Sequence, residues 1–174
     1  MVDAQQSDFL NYEIWILTFG GGLQRSGIYA AGVSDDKKLA FRNSVRNKIS
    51  ALVKNKYTKA SVTSKEHIEN LIEIKNWINT NHTSVLNDNN INLGVVQKIT
   101  NLYLKYQWCL GLVKTPPHCP FDRIIISKMK LSDPPAWTKL DSVEAYKILV
   151  EKASKVAGKK TIAEWELDVF SRRQ

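Results

Sequence analysis

The sequence predicts an all-α fold, a compact bundle of about seven helices, and three observations carry that expectation. Apolar residues recur at the three-and-four spacing of a helix face through most of the chain. Runs of strict apolar/polar alternation, which mark half-buried strands, are scarce. Prolines, glycines and clusters of Ser, Asp and Asn fall between the periodic segments, where helices start and stop. With 174 residues, 43% of them hydrophobic and 24% charged, the chain is long and apolar enough for one helical domain over residues 1–174.

The elements follow in order. Asp8 to Thr18 reads as a helix, although its aromatic and β-branched residues leave a strand open. Gly20-Gly21-Gly22 lacks the pattern of a phosphate-binding loop and reads as a flexible turn or hinge, and Leu23 to Val33 as irregular. From Ser34 to Tyr57, Leu39, Val45, Ile49, Leu52 and Val53 keep helical spacing behind a Ser34-Asp35-Asp36 start signal. The opposite face carries Lys37, Lys38, Arg42, Arg46, Lys48 and Lys54. Ser64 to Thr80 repeats the pattern with Ile68, Leu71, Ile72, Ile74 and Ile78 inward.

Thr83 to Asn92 is rich in Asn and Asp, which bond their own backbone, so it reads as a loop and as a seam between two small lobes near 83–92. Gly94 to Leu112 places Val95, Ile99, Leu102, Tyr103, Tyr106 and Leu110 on the buried side of a helix that Gly111 ends. Pro116, Pro117 and Pro120 stiffen the next connector, and helix resumes over Pro120 to Met129. Beyond Asp133-Pro134-Pro135, Ser142 to Val156 and Thr161 to Arg172 give two more helices joined at Gly158.

Lys+Arg 25 against Asp+Glu 17 leaves a net charge of +8, which favours a polyanionic partner through counterion release and steering. No apolar run reaches the ~20 residues of a membrane span, so no membrane partner is expected. The polar opening and the two cysteines, Cys109 and Cys119, point to free thiols in a cytoplasmic compartment. Cys109, Cys119 and His118 match no standard zinc spacing, so neither metal nor cofactor is expected, and Cys109 reads as core. His118 lies close enough in sequence to Asp122 to serve as a proton carrier.

Chemistry concentrates between residues 91 and 126. Asn92-Leu93-Gly94-Val95-Val96-Gln97-Lys98-Ile99-Thr100 opens a buried helix, and Pro120-Phe121-Asp122-Arg123-Ile124-Ile125 follows it. This pair of motifs resembles the helix-hairpin-helix DNA glycosylase superfamily, in which a Leu-Pro-Gly-Val-Gly hairpin precedes a helix and a Pro-Val-Asp-Thr-His motif presents an aspartate. Leu93 stands where that family has proline and Val96 where it has its second glycine. The resemblance implies that Asp122 is the catalytic acid and Lys98 the Schiff-base lysine of the bifunctional members. It also implies that Gly94 belongs to a phosphate-gripping hairpin. The four-cysteine iron-sulfur cluster of some members is excluded with two cysteines.

The residue types suit the chemistry on their own terms. Breaking an N-glycosidic bond builds positive charge on the sugar, which a carboxylate such as Asp122 stabilises, while a lysine amine such as Lys98 can attack the sugar and form a covalent intermediate. The target base must leave the stack, and Trp108, Tyr103, Trp137 or His118 are the side chains that would receive it. Arg123, Lys37, Lys38, Arg42, Arg46 and Lys48 would hold the phosphates of duplex DNA. The same residues also admit plainer roles: Asp122 as a first-turn acid, Lys98 and the basic cluster as solvated faces, Tyr103 and Trp108 as core. A non-catalytic nucleic-acid-binding module and a helical protein-interaction domain are the alternatives to a base-excision enzyme.

Overall fold

A computed structural model describes residues 3–24 and 26–171. Among those residues run seven α-helices: α1 (Ala4–Gly22), α2 (Asp35–Lys56), α3 (Ser64–Asn81), α4 (Leu93–Cys109), α5 (Arg123–Lys128), α6 (Val143–Ala157) and α7 (Ile162–Val169). There is no strand among the described residues, and the one β-type pairing there is an isolated antiparallel bridge between Tyr29 and Leu86. The expected all-α class is therefore the observed one.

The helix starts are chemically explicit. Ser34, Asn92, Asp122, Ser142 and Thr161 cap α2, α4, α5, α6 and α7, each accepting the backbone N–H three residues on. Thr63 and Glu66 form a reciprocal capping box on α3. Gly111 and Gly158, at φ 73° and 64°, let the chain leave α4 and α6 through the left-handed region. Arg172, the expected end of the last helix, lies outside the described residues.

Three expectations change. The glycine triplet is no hinge: α1 continues through Gly22 because the missing side chains let it press onto α4, where a Cβ at Gly22 would collide with Ile99 and one at Gly21 with Leu102. Pro120 stands outside α5, since the helix waits for the Asp122 cap. The 83–92 segment folds into two short 3-10 turns, and Val85, Leu86 and Ile91 are buried in the common core.

At the side-chain level, Leu39 and Leu110 face solvent at 50% and 48% exposure, while Phe41 takes the core position on α2. Cys109, expected in the core, is exposed at the end of α4, and Cys119 is buried, both as free thiols. α4 is the central helix: every residue from Leu93 to Asn101 is buried, and α1 and α3 pack on it. Trp15 of α1 stacks on Tyr103 with centroids 4.3 Å apart. Lys105 of α4 pairs with the buried Glu166 of α7 at 2.7 Å and lies 4.3 Å from the centre of the Phe170 ring.

Candidate functional site: the Lys98–Asp122 pair

Lys98 and Asp122 meet. The ammonium Nζ donates to Asp122 Oδ2 at 2.5 Å, with the two side chains 6% and 16% exposed. The other carboxylate oxygen, Oδ1, accepts the backbone N–H of Ile125 at 2.9 Å, so one aspartate both caps α5 and holds the lysine. Arg123, at the first position of α5, is exposed beside it.

What holds the two in register is a row of buried amides on α4. The Gln97 side chain grips the Phe121 backbone from both sides: its Nε2 donates to the Phe121 carbonyl at 2.7 Å, and its Oε1 accepts the Phe121 N–H at 3.1 Å. One turn on, Asn101 Nδ2 donates to the Cys119 carbonyl at 2.9 Å. The proline-rich connector is thus pinned to α4 at residues 119, 121 and 122, through side chains at 101, 97 and 98. Sequence reasoning passes over Gln97 and Asn101. The signal for them is two amides at i and i+4 on the helix face that also carries Leu93 and Leu104.

Beyond Asn101 the polar interior continues. His118, 1% exposed, is hydrogen-bonded through Nδ1 to Tyr146 at 2.9 Å and through Nε2 to Ser64 at 2.8 Å. Its ring meets that of His67 edge-on at 4.7 Å, and His67 Nδ1 is bonded to Tyr57 at 2.7 Å. Burial pushes His67 down to about 4, an effect partly offset by the neighbouring Asn101 side chain. Burial and then the charge of His67 push His118 well below the ordinary imidazole range. His118 is therefore a neutral, fully engaged core residue, and both ring nitrogens point to partners other than Asp122.

The remaining expected residues divide. Gly94 is needed for packing: a Cβ there would collide with the Trp137 carbonyl oxygen. Its N–H donates to the Leu140 carbonyl at 2.6 Å, and those of Leu93 and Val95 go to Asp141 at 3.0 Å and Asn92 at 3.1 Å. The amides expected to grip a phosphate are committed inside the fold, which corrects the role of Gly94. Tyr103 has Trp15 against one face and is core. Trp108 and Trp137 are half-buried, Trp137 in the turn that covers the start of α4.

The basic cluster lies on α2, which packs against α3. Lys48 is engaged by Glu73 at 2.7 Å and Lys38 by Asp35 at 3.0 Å, whereas Lys37 is exposed and Arg42 and Arg46 are half-buried. No group of three metal-ligating side chains occurs among the described residues, and no described helix is long and apolar enough to cross a membrane. No family model matches the sequence, and no curated protein or solved structure is significantly similar to it.

Proposed function

We propose that this chain is a base-excision enzyme, a DNA glycosylase with lyase capacity, in which Lys98 is the nucleophile and Asp122 the carboxylate. The observation that supports the reading is the 2.5 Å approach of an amine on one helix to a carboxylate at the mouth of the next, both largely withdrawn from water. In such surroundings a charge pair acts more strongly on a nearby reacting centre than it does in solvent.

Lys98 passes a proton to Asp122, and its free Nζ attacks C1′ of the deoxyribose. The N-glycosidic bond breaks and the base departs with the electron pair, taking the proton that Asp122 received. The substituted nitrogen then carries two protons; it gives one to the ring oxygen as the C1′–O4′ bond breaks and the ring opens, and keeps the other as a protonated imine. Because the pair is bonded and buried, an incoming nucleotide must part the two side chains before Lys98 reaches the sugar.

Borohydride tests the reading, since hydride reduces the imine to a stable amine. With duplexes carrying an abasic site or a panel of damaged bases, the wild type gives a trapped adduct and Lys98→Gln gives none. Asp122→Asn keeps a capping side chain and lowers base release by about 10²-fold or more. An intact protein that yields neither adduct nor released base on the panel defeats the proposal.

A second reading is favoured by the Ile125 N–H bond to Asp122. A cap neutralised by a lysine accounts for both residues without chemistry, and the chain is then a nucleic-acid-binding module. Salt-sensitive DNA binding that persists unchanged in Asp122→Asn, without base release, distinguishes it.

A further inference from the structure

Helix α1 carries large apolar side chains on two opposite faces, yet only one face, with Ile14, Trp15, Thr18 and Gly22, is buried. On the other face Phe9, Tyr12 and Ile16 are 62%, 56% and 50% exposed, flanked by Leu10 and Leu17 at 42% and 41%. At 100° per residue these five fall within an arc of about 160° that the half-buried Glu13 shares, opposite the buried face. The spacing 9, 12, 16 is that of a coiled-coil seam, and 10 and 17 lie one heptad apart. A shallow depression lined by Gln5, Gln6, Phe9 and Leu10 extends the stripe toward the start of the helix. A helix with large apolar side chains on opposite faces is ordinarily covered on both.

We propose that the cover is a second copy of this chain, paired α1 to α1 about a two-fold axis. Charge points to that occupant. From Ala4 to Gly22 the charged side chains are Asp8 and Glu13, with no Lys or Arg, on a chain that carries 25 Lys+Arg. A nucleic acid or an anionic lipid surface is drawn to cations and finds none here. Two bodies of charge +8 repel each other, and they repel less when they approach through a helix that carries no Lys or Arg.

Area agrees with the occupant. Five large side chains, each about half exposed, offer about 100 Å² apiece, so an isologous pair covers at most about 1,000 Å², with Leu10 and Leu17 at its edge, which is the size class of weak, transient interfaces. Each copy presents the same seam, so apolar rows meet apolar rows without a complementary surface elsewhere. The expected association is weak and reversible.

Sedimentation equilibrium of the full chain, from about 1 to about 300 µM, tests this across the range expected of an interface of about 1,000 Å². The mass should climb from 19.8 kDa toward twice that value. Added salt should tighten the dimer, because it screens the repulsion between like-charged copies. Phe9→Glu and Ile16→Glu should remain monomeric at every concentration while melting like the wild type, and Ile148→Glu, an exposed site on α6, should dimerise normally. A wild type monomeric throughout overturns the proposal, including one that instead sediments with zwitterionic phosphatidylcholine vesicles. A dimer that both α1 variants leave intact overturns it as well.

Discussion

Lys98 and Asp122 set the terms at the scale of single residues, because each is buried with the other as its counter-charge. Removing one partner of such a pair leaves an uncompensated charge, which costs about 3–5 kcal/mol. Lys98→Gln and Asp122→Asn should therefore melt well below the wild type, and trapping experiments belong below their melting temperatures. The two interior histidines give a second residue-level expectation. His67 titrates near 4 when folded against 6.5 for a free imidazole, and His118 is shifted the same way. Unfolded chains then bind protons before folded ones as pH falls, so stability is full above about pH 6.5 and declines from there to about pH 4. For His67 the loss is about 3 kcal/mol. Urea midpoints at pH 7, 5.5 and 4.5 should fall steadily for the wild type and less steeply for His67→Gln. Gly94→Ala, which drives a methyl into the Trp137 carbonyl, should cost about 2 kcal/mol or more by denaturant titration.

Between helices the sharpest test is the packing of α1 on α4. Gly22→Ala adds one carbon where Ile99 already stands, and overpacking of that kind costs about 1–3 kcal/mol. Gly27→Ala probes an open site at φ 65°, where the cost is backbone strain without collision, and it should lose less by the same thermal melt. The pair also shows what the sequence carries and what it withholds. Caps at Ser34, Asn92 and Ser142 and the left-handed exits at Gly111 and Gly158 are legible because they are local rules satisfied within a few residues. Gly20-Gly21-Gly22 reads wrongly as a hinge because glycine's local preference says turn, while the reason for the triplet lies on α4, some eighty residues away. The motifs single out Lys98 and Asp122, but not the buried ion pair that the two form with each other. The Gln97 grip on Phe121 is not legible either, since a glutamine on a helix is solvated by default and only tertiary packing reveals what it holds.

Charge governs the whole molecule. If the basic face of α2 meets DNA, removing one phosphate-binding cation should flatten the salt dependence of binding by about one unit of log–log slope. Arg46→Ala should show that full change in a titration against ionic strength. Lys48→Ala should show less, because Glu73 already holds the Lys48 ammonium. A slope untouched by both would move the nucleic-acid surface off α2.

The unequal anchoring of the two reactive groups has a consequence for motion. Lys98 rides on a helix encased from Leu93 to Asn101, whose amides should be among the slowest to exchange with deuterium. Asp122 opens a six-residue helix at the end of a proline-braced strap. Whatever wedges between them will shift the acid and leave the amine where it stands.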